Sequence, residues 1–381
     1  MKIAFLTPEY PHPKTGRSGG IGTSIFNLAN ALVGLGHDIS ILVYGQDCDD
    51  TFMENGLCFY KIKNIKVKGL SLILSQKKVE RLINSLYHSG KIELVEAPDW
   101  TGFTAFIKPK CPLVIRENGS DTYFCYLEQR PVKFKNKFLE KRALVKADGI
   151  ISVSAFTGTL TNTLFGLKRA FTVIPNSIDT TLFGVNSTDT TEEQTILYFG
   201  TLIRKKGLLE LAKIFNLVHK TNKKVRLVLV GKDSGDIRTG SSSTWQLMQP
   251  LFDASAFNQV RYLGAVPYSE IQKLITKATI CVFPSFAEAL PVSWLEAMAM
   301  EKAIVASNIG WAQEMIEDGK EGFLVHPITH KAYADRILEL LESPEKRQRF
   351  GVAAREKVKA KFSHDLVAKQ SEAFYKSVIY K

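Results

Sequence analysis

A predicted strand runs directly into a buried helix in the stretch Phe283-Pro-Ser-Phe-Ala-Glu288-Ala-Leu-Pro-Val-Ser-Trp-Leu-Glu296-Ala-Met-Ala-Met300. Pro291 suits the first turn of the helix, because its missing N–H would have no partner there. The helix is almost wholly apolar, so we expect it to be buried on most sides. An unpaired carboxylate is expensive in such a place, and Glu296 therefore needs hydrogen-bond donors, which ligand hydroxyls could supply. The free N–H groups at the helix start could hold a phosphate.

Other interpretations of the two carboxylates are open at this point. Glu296 could be a structural carboxylate paired with a distant arginine, and Glu288 could be a solvated loop residue. A glycosidase-like pair of acid and nucleophile is the competing chemical interpretation. It is disfavoured because eight positions with a 1.5 Å rise per residue would separate the two carboxylates by about 12 Å.

Short apolar strands alternate with helical stretches along the chain, which predicts an α/β protein with parallel sheets covered on both faces. The polar, turn-rich segment 175–193 is the expected linker between two domains. In the first half we predict strands near 2–7, 38–44, 57–62, 92–95, 112–116, 149–153 and 171–174, and helices near 21–35, 76–88, 101–107, 131–146 and 155–165. In the second half we predict strands near 195–199, 225–230, 280–283 and 303–306, and helices near 207–220, 330–342 and 364–380. Doubly wound domains of this kind bind ligands at the carboxyl ends of their strands.

Two further stretches could contact phosphate groups. The first, Gly16-Arg-Ser-Gly19-Gly20-Ile-Gly22-Thr-Ser24, follows the first predicted strand and opens a helix, where glycines let the backbone approach a phosphate closely. The second, Gly200-Thr-Leu-Ile-Arg204-Lys205-Lys206-Gly207, places three cations after the first strand of the second domain. Cations at a strand end can neutralise a diphosphate leaving group. A glycine-rich structural turn and a solvated basic turn are the respective alternatives.

Polar residues also follow two strands of the first half. Arg116 could contact a phosphate or an acceptor, or form an ion pair with a nearby acid. Asp99 could contact an acceptor or cap the next helix. Asn118 can hydrogen-bond a sugar hydroxyl, but its amide does not titrate near neutral pH.

The composition indicates a globular protein large enough for two domains. The chain has 381 residues, of which 45% are hydrophobic and 23% charged. Its five cysteines and seven histidines show no metal-ligand or disulfide spacing, so we predict neither a metal site nor a cofactor. The sequence has neither the pattern of a signal peptide nor a membrane-spanning stretch, and we expect a cytoplasmic location.

The net charge of +12 is concentrated in residues 130–146, where seven basic residues accompany one glutamate. A helix there would set Phe134, Phe138 and Leu139 among lysines, which is typical of a segment attracted to anionic lipid at the inner face of the membrane. A solvated helix that packs its apolar stripe on the core is the equally supported alternative. Nucleic acid is disfavoured as a partner, because no recognition motif accompanies the charge.

The sequence resembles the retaining nucleotide-sugar glycosyltransferases of family 4. The resemblance rests on Glu288 and Glu296 at a strand–loop–helix junction, followed by Ala303-Ile-Val-Ala-Ser307 and Asp318-Gly-Lys-Glu-Gly-Phe-Leu-Val325. It implies the GT-B fold, in which two Rossmann-like, doubly wound domains face a central cleft. On this basis the expected division is 1–180 for an acceptor domain, 195–364 for a nucleotide-sugar donor domain, and 365–381 for a helix that packs back on the first domain.

The resemblance also implies roles for residues that match the family's motifs. Glu288 would contact hydroxyls of the donor sugar, and Glu296 those of the nucleotide ribose. The backbone N–H groups of Val292 and Ser293 would bind phosphate.

The two other stretches complete the implied donor site. Gly19 and Gly20 would lie against the donor diphosphate, and Lys206 would stabilise it as it leaves. Thr201 stands where the family usually has an arginine, and Arg204 is the candidate substitute.

The implied reaction transfers a sugar from an NDP-sugar to a hydroxyl of a glycan, a lipid-linked glycan or another cell-envelope acceptor, with retention and without an essential metal. Arg116 and Asp99 are the candidate acceptor contacts. Many family members have a histidine at the position of Asn118, so the leaving diphosphate is the expected proton acceptor here. A non-catalytic GT-B subunit and a nucleotide-dependent sugar epimerase or oxidoreductase are the alternative functions.

Overall fold

The computed structural model describes residues 1–16, 18–185 and 194–380. Arg17 of the glycine-rich stretch and residues 186–193 of the predicted linker lie outside the described residues. The chain divides into two compact units, one formed by Met1–Ser177 with His364–Lys381 and the other by Ile178–Ser363. Among the described residues, no helix is both long enough and apolar enough to cross a membrane.

The first unit is built on an eight-stranded sheet. Its strands are β1 (Lys2–Thr7), β2 (Asp38–Gln46), β3 (Asp50–Glu54), β4 (Leu57–Lys63), β5 (Leu94–Pro98), β6 (Leu113–Glu117), β7 (Gly149–Ser152) and β8 (Thr172–Val173). They lie in the order β3-β4-β2-β1-β5-β6-β7-β8, and all neighbours are parallel except the edge pair β3 and β4. The helices are α1 (Gly20–Gly34), α2 (Ser71–His88), α3 (Asp121–Leu127), α4 (Phe134–Lys146), α5 (Ala155–Phe165) and the C-terminal helix (His364–Ile379).

Alternate residues of each central strand enter different cores, because successive side chains of a strand point to opposite faces of the sheet. In β1, Ala4 and Leu6 belong to one hydrophobic cluster, and Ile3 and Phe5 to the other. The C-terminal helix adds four buried side chains to the second cluster, namely Val367, Ala368, Tyr375 and Val378. Helices on both faces therefore bury central strands that are mainly apolar, as the sequence predicts.

The second unit contains a six-stranded parallel sheet. Its strands are β9 (Thr195–Phe199), β10 (Arg226–Val230), β11 (Val260–Tyr262), β12 (Ile280–Phe283), β13 (Ile304–Ala306) and β14 (Phe323–Leu324), in the order β11-β10-β9-β12-β13-β14. The helices are α6 (Leu208–Thr221), α7 (Thr244–Met248), α8 (Ala254–Phe257), α9 (Tyr268–Lys277), α10 (Val292–Ala299), α11 (Ala312–Met315), α12 (His330–Glu342) and α13 (Pro344–Lys361).

The strand order of each sheet reverses beside its first strand. In the second unit β9 lies between β10 and β12, and in the first unit β1 lies between β2 and β5. Loops that leave neighbouring strands at such a switch point diverge and open a crevice, where doubly wound proteins bind their ligands. The loops after β9 and β12 therefore occupy the position at which a ligand of the second unit is expected.

The helix predicted near 101–107 is wrong. The segment forms only a short 3₁₀ turn at Trp100–Gly102, in which Thr101 and Gly102 have φ values of 54° and 61°. Gly102 also lies so close to α4 that a Cβ would come within 2.3 Å of the carbonyl carbon of Leu139. The tight packing of α4 against this turn requires a backbone conformation that a helix cannot provide.

Candidate functional site

Two loops meet at the switch point of the second sheet, one after β9 and one after β12. The N–H of Phe286 donates a 2.7 Å hydrogen bond to the carbonyl of Lys205. A Cβ on Gly207, whose φ is +72°, would lie 1.8 Å from the carbonyl oxygen of Pro284. Only glycine fits such a close approach in the left-handed region, so the two loops are held together by their backbones.

This backbone contact sets Lys206 beside Glu288. The ammonium Nζ of Lys206 donates a short hydrogen bond to Oε1 of Glu288, whose side chain is buried. An ammonium group has three donors, so Lys206 can bind a further acceptor while it remains paired. The structure thus brings together a cation and a carboxylate that the sequence places 82 positions apart.

Glu296 is buried inside the unit, in α10, with only 4% of its surface exposed. Its Oε1 accepts a 2.6 Å hydrogen bond from the hydroxyl of Tyr268, at the start of α9. Burial raises the pKa of Glu296 to about 7, and the hydrogen bond from Tyr268 opposes that rise. The carboxylate is therefore held by a tyrosine rather than by the distant arginine considered as the alternative.

The start of α10 lies between the two carboxylates. Pro291 is the residue before the helix, and Val292 and Ser293, both half-buried, are its first two residues. The first N–H groups of a helix have no acceptor within it, and the helix dipole favours an anion there. The chain thus offers N–H donors at the switch point, as the sequence predicts, although Pro291 precedes the helix rather than occupying its first turn.

Arg204 is held by a carboxylate that the sequence analysis did not identify. Its Nε and Nη2 atoms donate to the two oxygens of Asp236 at 2.8 and 2.7 Å. The hydrogen bonds from Arg204 lower the pKa of Asp236, which is itself buried. Arg204 and Lys206 are therefore each paired with a carboxylate of this unit, and each keeps N–H donors that could meet a diphosphate.

The glycine-rich start of α1 belongs to the first unit. Gly19 precedes the helix, Gly20 is its first residue, and both are exposed. Oε1 of Glu9 accepts a 3.0 Å hydrogen bond from the N–H of Gly22. A carboxylate of the chain itself therefore already occupies an anion position at this helix start. Glu9 lies two residues after the end of β1, and this position at a strand end is the signal by which the sequence could have identified it.

Arg116, a candidate acceptor contact in the sequence, is buried in an ion pair. Its Nε and Nη2 donate to the carboxylate of Glu96 at 2.8 and 3.2 Å, and its Nη1 donates to the carbonyl of Ile174 at 3.1 Å. Tyr375 of the C-terminal helix also donates to Glu96, at 2.6 Å. The ion pair that the sequence analysis gave as the alternative is what the structure contains.

Asp99 is also buried, and it positions Asn118. Its Oδ1 accepts a 3.0 Å hydrogen bond from the backbone N–H of Asn118. Burial, with the charge of Glu140 as a lesser cause, raises the pKa of Asp99 well above its usual range. Asn118 is half-buried, and within the described part of the chain its side-chain amide has no hydrogen-bond partner. Of these two side chains, that of Asn118 is the more accessible.

No cluster of histidine, cysteine or carboxylate side chains that could hold a metal ion occurs in residues 1–16, 18–185 and 194–380. The candidate donor site of the second unit consists instead of Lys206, Glu288, Glu296 and the start of α10. Its chemistry is that of a site for an anionic ligand that carries hydroxyl groups.

Comparison with known proteins shows which family the chain belongs to. The model of Glycosyltransferase Family 4 matches residues 18–182, and the model of glycosyl transferases group 1 matches residues 185–357. The chain is a glycosyltransferase of the group 1 and family 4 type.

Relatives of this glycosyltransferase extend over its whole length. It is 26% identical to the α-maltose-1-phosphate synthase of Mycolicibacterium smegmatis, over 99% of this chain and 100% of the relative. Among solved structures it is similar to a sucrose-phosphate synthase from Thermosynechococcus elongatus, with a TM-score of 0.80 and 18% identity, covering 100% of both chains. It is also similar to HepE of Anabaena in complex with UDP-glucose, with a TM-score of 0.77 and 19% identity, covering 99% of this chain and 100% of the other. The predicted GT-B fold is confirmed by these likenesses.

Proposed function

We propose that this glycosyltransferase moves a sugar from an NDP-sugar to a hydroxyl of a glycan, a lipid-linked glycan or another cell-envelope acceptor, with retention of the anomeric configuration. The observation that carries the proposal is the contact of Lys206 with Glu288 at the switch point of the second sheet, beside the helix that contains Glu296. The UDP-glucose bound to a protein of similar fold supports a nucleotide-sugar as the donor class.

Each group of the site has a part of the donor that its chemistry suits. The buried carboxylate of Glu296 accepts hydrogen bonds from ribose hydroxyls, which offset the cost of burying its charge. Glu288 accepts from hydroxyls of the sugar. The N–H groups of Val292 and Ser293 hold the diphosphate at the positive end of the α10 dipole.

The transfer step places its developing negative charge next to Lys206. The bond from the anomeric carbon of the sugar to the diphosphate oxygen breaks, and a bond to the acceptor oxygen forms on the same face. The acceptor proton passes to the departing diphosphate oxygen, which serves as the base. Lys206 stabilises the leaving group electrostatically, in a low-dielectric site where such a charge has a large effect. The proposal includes transfer without a divalent cation, since Lys206 and the N–H groups supply positive charge.

A transfer assay tests this proposal. The purified protein is incubated with a panel of NDP-sugars and hydroxyl acceptors, the released nucleotide is measured, and the anomeric configuration is determined by NMR. Lys206→Ala is expected to lower the transfer rate by about 10²–10³-fold, the usual effect of removing one electrostatic stabiliser. Glu288→Ala is also expected to reduce transfer sharply, whereas EDTA is expected to leave the rate unchanged. Full activity in both folded variants, or an inverted product, would overturn the assignment.

A further inference from the structure

Helix α4 of the first unit has two apolar faces. The inward face is buried and consists of Leu139, Ala143 and Leu144 together with Glu140. On the opposite side Phe134 is 84% exposed, Phe138 is 48% exposed and Val145 is 50% exposed. Spacings of four and seven residues place these three side chains along one side of the helix. The inward face packs α4 on the core of the unit, and the outward apolar stripe remains accessible to a partner.

The outward face of α4 is also cationic. Its exposed charged side chains, with the lysine just before the helix, are Lys133, Lys135, Lys137 and Lys141. None of these four lysines has an ion-pair partner in the described part of the chain. The one carboxylate of the helix, Glu140, points inward and leaves the lysine charges uncompensated.

Glu140 fixes α4 to the helix beside it. Its carboxylate accepts from the N–H groups of Asp121 and Thr122 at 2.8 and 3.1 Å, and from the hydroxyl of Thr122 at 2.5 Å. These bonds satisfy two N–H groups at the start of α3, and the backbone of Gly102 packs against that of Leu139 and Glu140 in α4. The helix is thus ordered before it meets a partner, and binding costs it little conformational entropy.

A partner for this face must accept both exposed aromatic side chains and several positive charges. An anionic lipid bilayer does so, because phenylalanine can enter the boundary between headgroups and acyl chains while lysine ammonium groups remain at the headgroups. Nucleic acid would supply the charge but no apolar phase for Phe134 and Val145. We propose that α4 docks this glycosyltransferase, through its outward face, on an anionic lipid bilayer.

Vesicle flotation with the full-length protein tests this docking. Binding is expected to vesicles of phosphatidylcholine that contain phosphatidylglycerol, to weaken with salt, and to be absent for phosphatidylcholine alone. Phe134→Ser with Phe138→Ser should weaken binding at least about tenfold, since two aromatic side chains leave the lipid. Lys135→Ala with Lys137→Ala should weaken it by about fivefold for each lysine.

Matched substitutions elsewhere in the first unit serve as controls. Met53→Ser removes an apolar side chain that is 76% exposed, and Lys66→Ala with Lys68→Ala removes two exposed lysines at the same spacing. Both are expected to bind vesicles like the unchanged protein. Phe134→Trp keeps the apolar character and should add a blue-shifted fluorescence component on anionic vesicles, which tests the contact without loss of folding.

Three results would overturn the docking. The first is equal binding to neutral and anionic vesicles, or no binding to either. The second is an equal loss of binding in the α4 variants and the control variants. The third is binding of a single-stranded RNA oligonucleotide that depends on the same lysines, without vesicle binding, which would assign the face to nucleic acid.

Discussion

At the scale of single residues, Glu296 shows the conflict between stability and ligand binding most directly. Its carboxyl group is buried in an apolar helix, and among the described residues it accepts a hydrogen bond only from Tyr268. A buried carboxylate with so few donors is destabilising when it is ionised. Its presence is explained by the ligand hydroxyls that it is proposed to bind.

Glu296→Gln is expected to stabilise the protein at alkaline pH. Burial raises the pKa of Glu296 from 4.5 to about 7, so the folded state binds the proton more tightly than the unfolded state. The stabilisation that comes from this tighter proton binding is complete below pH 4.5 and is lost as the pH rises through about 7. In urea unfolding, we compare the free energy of unfolding of Glu296→Gln with that of the unchanged protein. The variant's advantage should therefore grow from pH 5 to pH 8, by up to about 3 kcal/mol. Glu356→Gln, on an exposed side chain, is the control, and an equal pH trend in both variants would refute the explanation.

The same titration should appear in nucleotide binding. Ribose hydroxyls donate to the ionised form of Glu296, so binding is coupled to release of its proton. Below pH 7 the affinity for a nucleoside diphosphate should fall, by up to about tenfold per pH unit. Calorimetric titrations at pH 6, 7 and 8 measure this dependence. The Glu296→Gln variant should bind more weakly at pH 8 and without that slope; an unchanged slope would place the titrating group elsewhere.

At the scale of elements, the donor site depends on the close backbone contact between the loops after β9 and β12. Gly207 permits that contact, and it directly follows Lys206. Any side chain there would separate the loops and move the ammonium group away from Glu288.

Gly207→Ala is therefore expected to destabilise the second unit and to abolish donor binding. Gly240→Ala is the matched control, since Gly240 has nearly the same φ of +74° but has open space around the missing Cβ. In the control the free energy of unfolding should fall only by roughly 1–2 kcal/mol, the cost of placing an alanine in the left-handed region. In Gly207→Ala it should fall by several kcal/mol more. Equal denaturation midpoints for the two variants would contradict the close contact.

Elements with a strong apolar pattern could be predicted from the sequence, and the others could not. Four elements occur at the predicted residues, namely β1, β9, β12 and α5. Continuous apolar runs define the three strands locally, and the Ser154 cap defines the start of α5. Helix α9, which supplies Tyr268, was not predicted, although Ile271, Leu274 and Ile275 recur at a helical spacing among its polar residues. Helix α3 was missed although Ser120 caps its start locally, because the helix has only seven residues, and Glu140 accepts from two more of its first N–H groups.

At the scale of the whole molecule, the chain returns at its end to the unit in which it began. The C-terminal helix belongs to the first unit, where Tyr375 and Ser371 meet the buried pair of Arg116 and Glu96. Pairings over such sequence distances leave no local signal, which is why Arg116 was a candidate acceptor contact in the sequence. The same limit applies to the pairing of Arg204 with Asp236.

Loss of this buried network should destabilise the first unit. Tyr375→Phe removes one hydrogen bond to a charged group and is expected to cost about 1.5–3 kcal/mol. Arg116→Met leaves the carboxylate of Glu96 buried without its cation and should cost about 3–5 kcal/mol. Urea unfolding with hydrogen exchange of the C-terminal helix measures both effects. Unchanged protection of that helix in Arg116→Met would contradict the role given to the pair.

The central claim is that the donor diphosphate binds beside Lys206 in the second unit. Isothermal titration calorimetry with a panel of nucleoside diphosphates, at pH 8, tests it most directly. At least one nucleotide should bind, and Lys206→Ala should weaken that binding by about 10–150-fold, the effect of losing a hydrogen bond to a charged group. Lys224→Ala, which removes an exposed lysine of the same unit, should leave the affinity unchanged. The same dissociation constant for Lys206→Ala and the unchanged protein would contradict the claim.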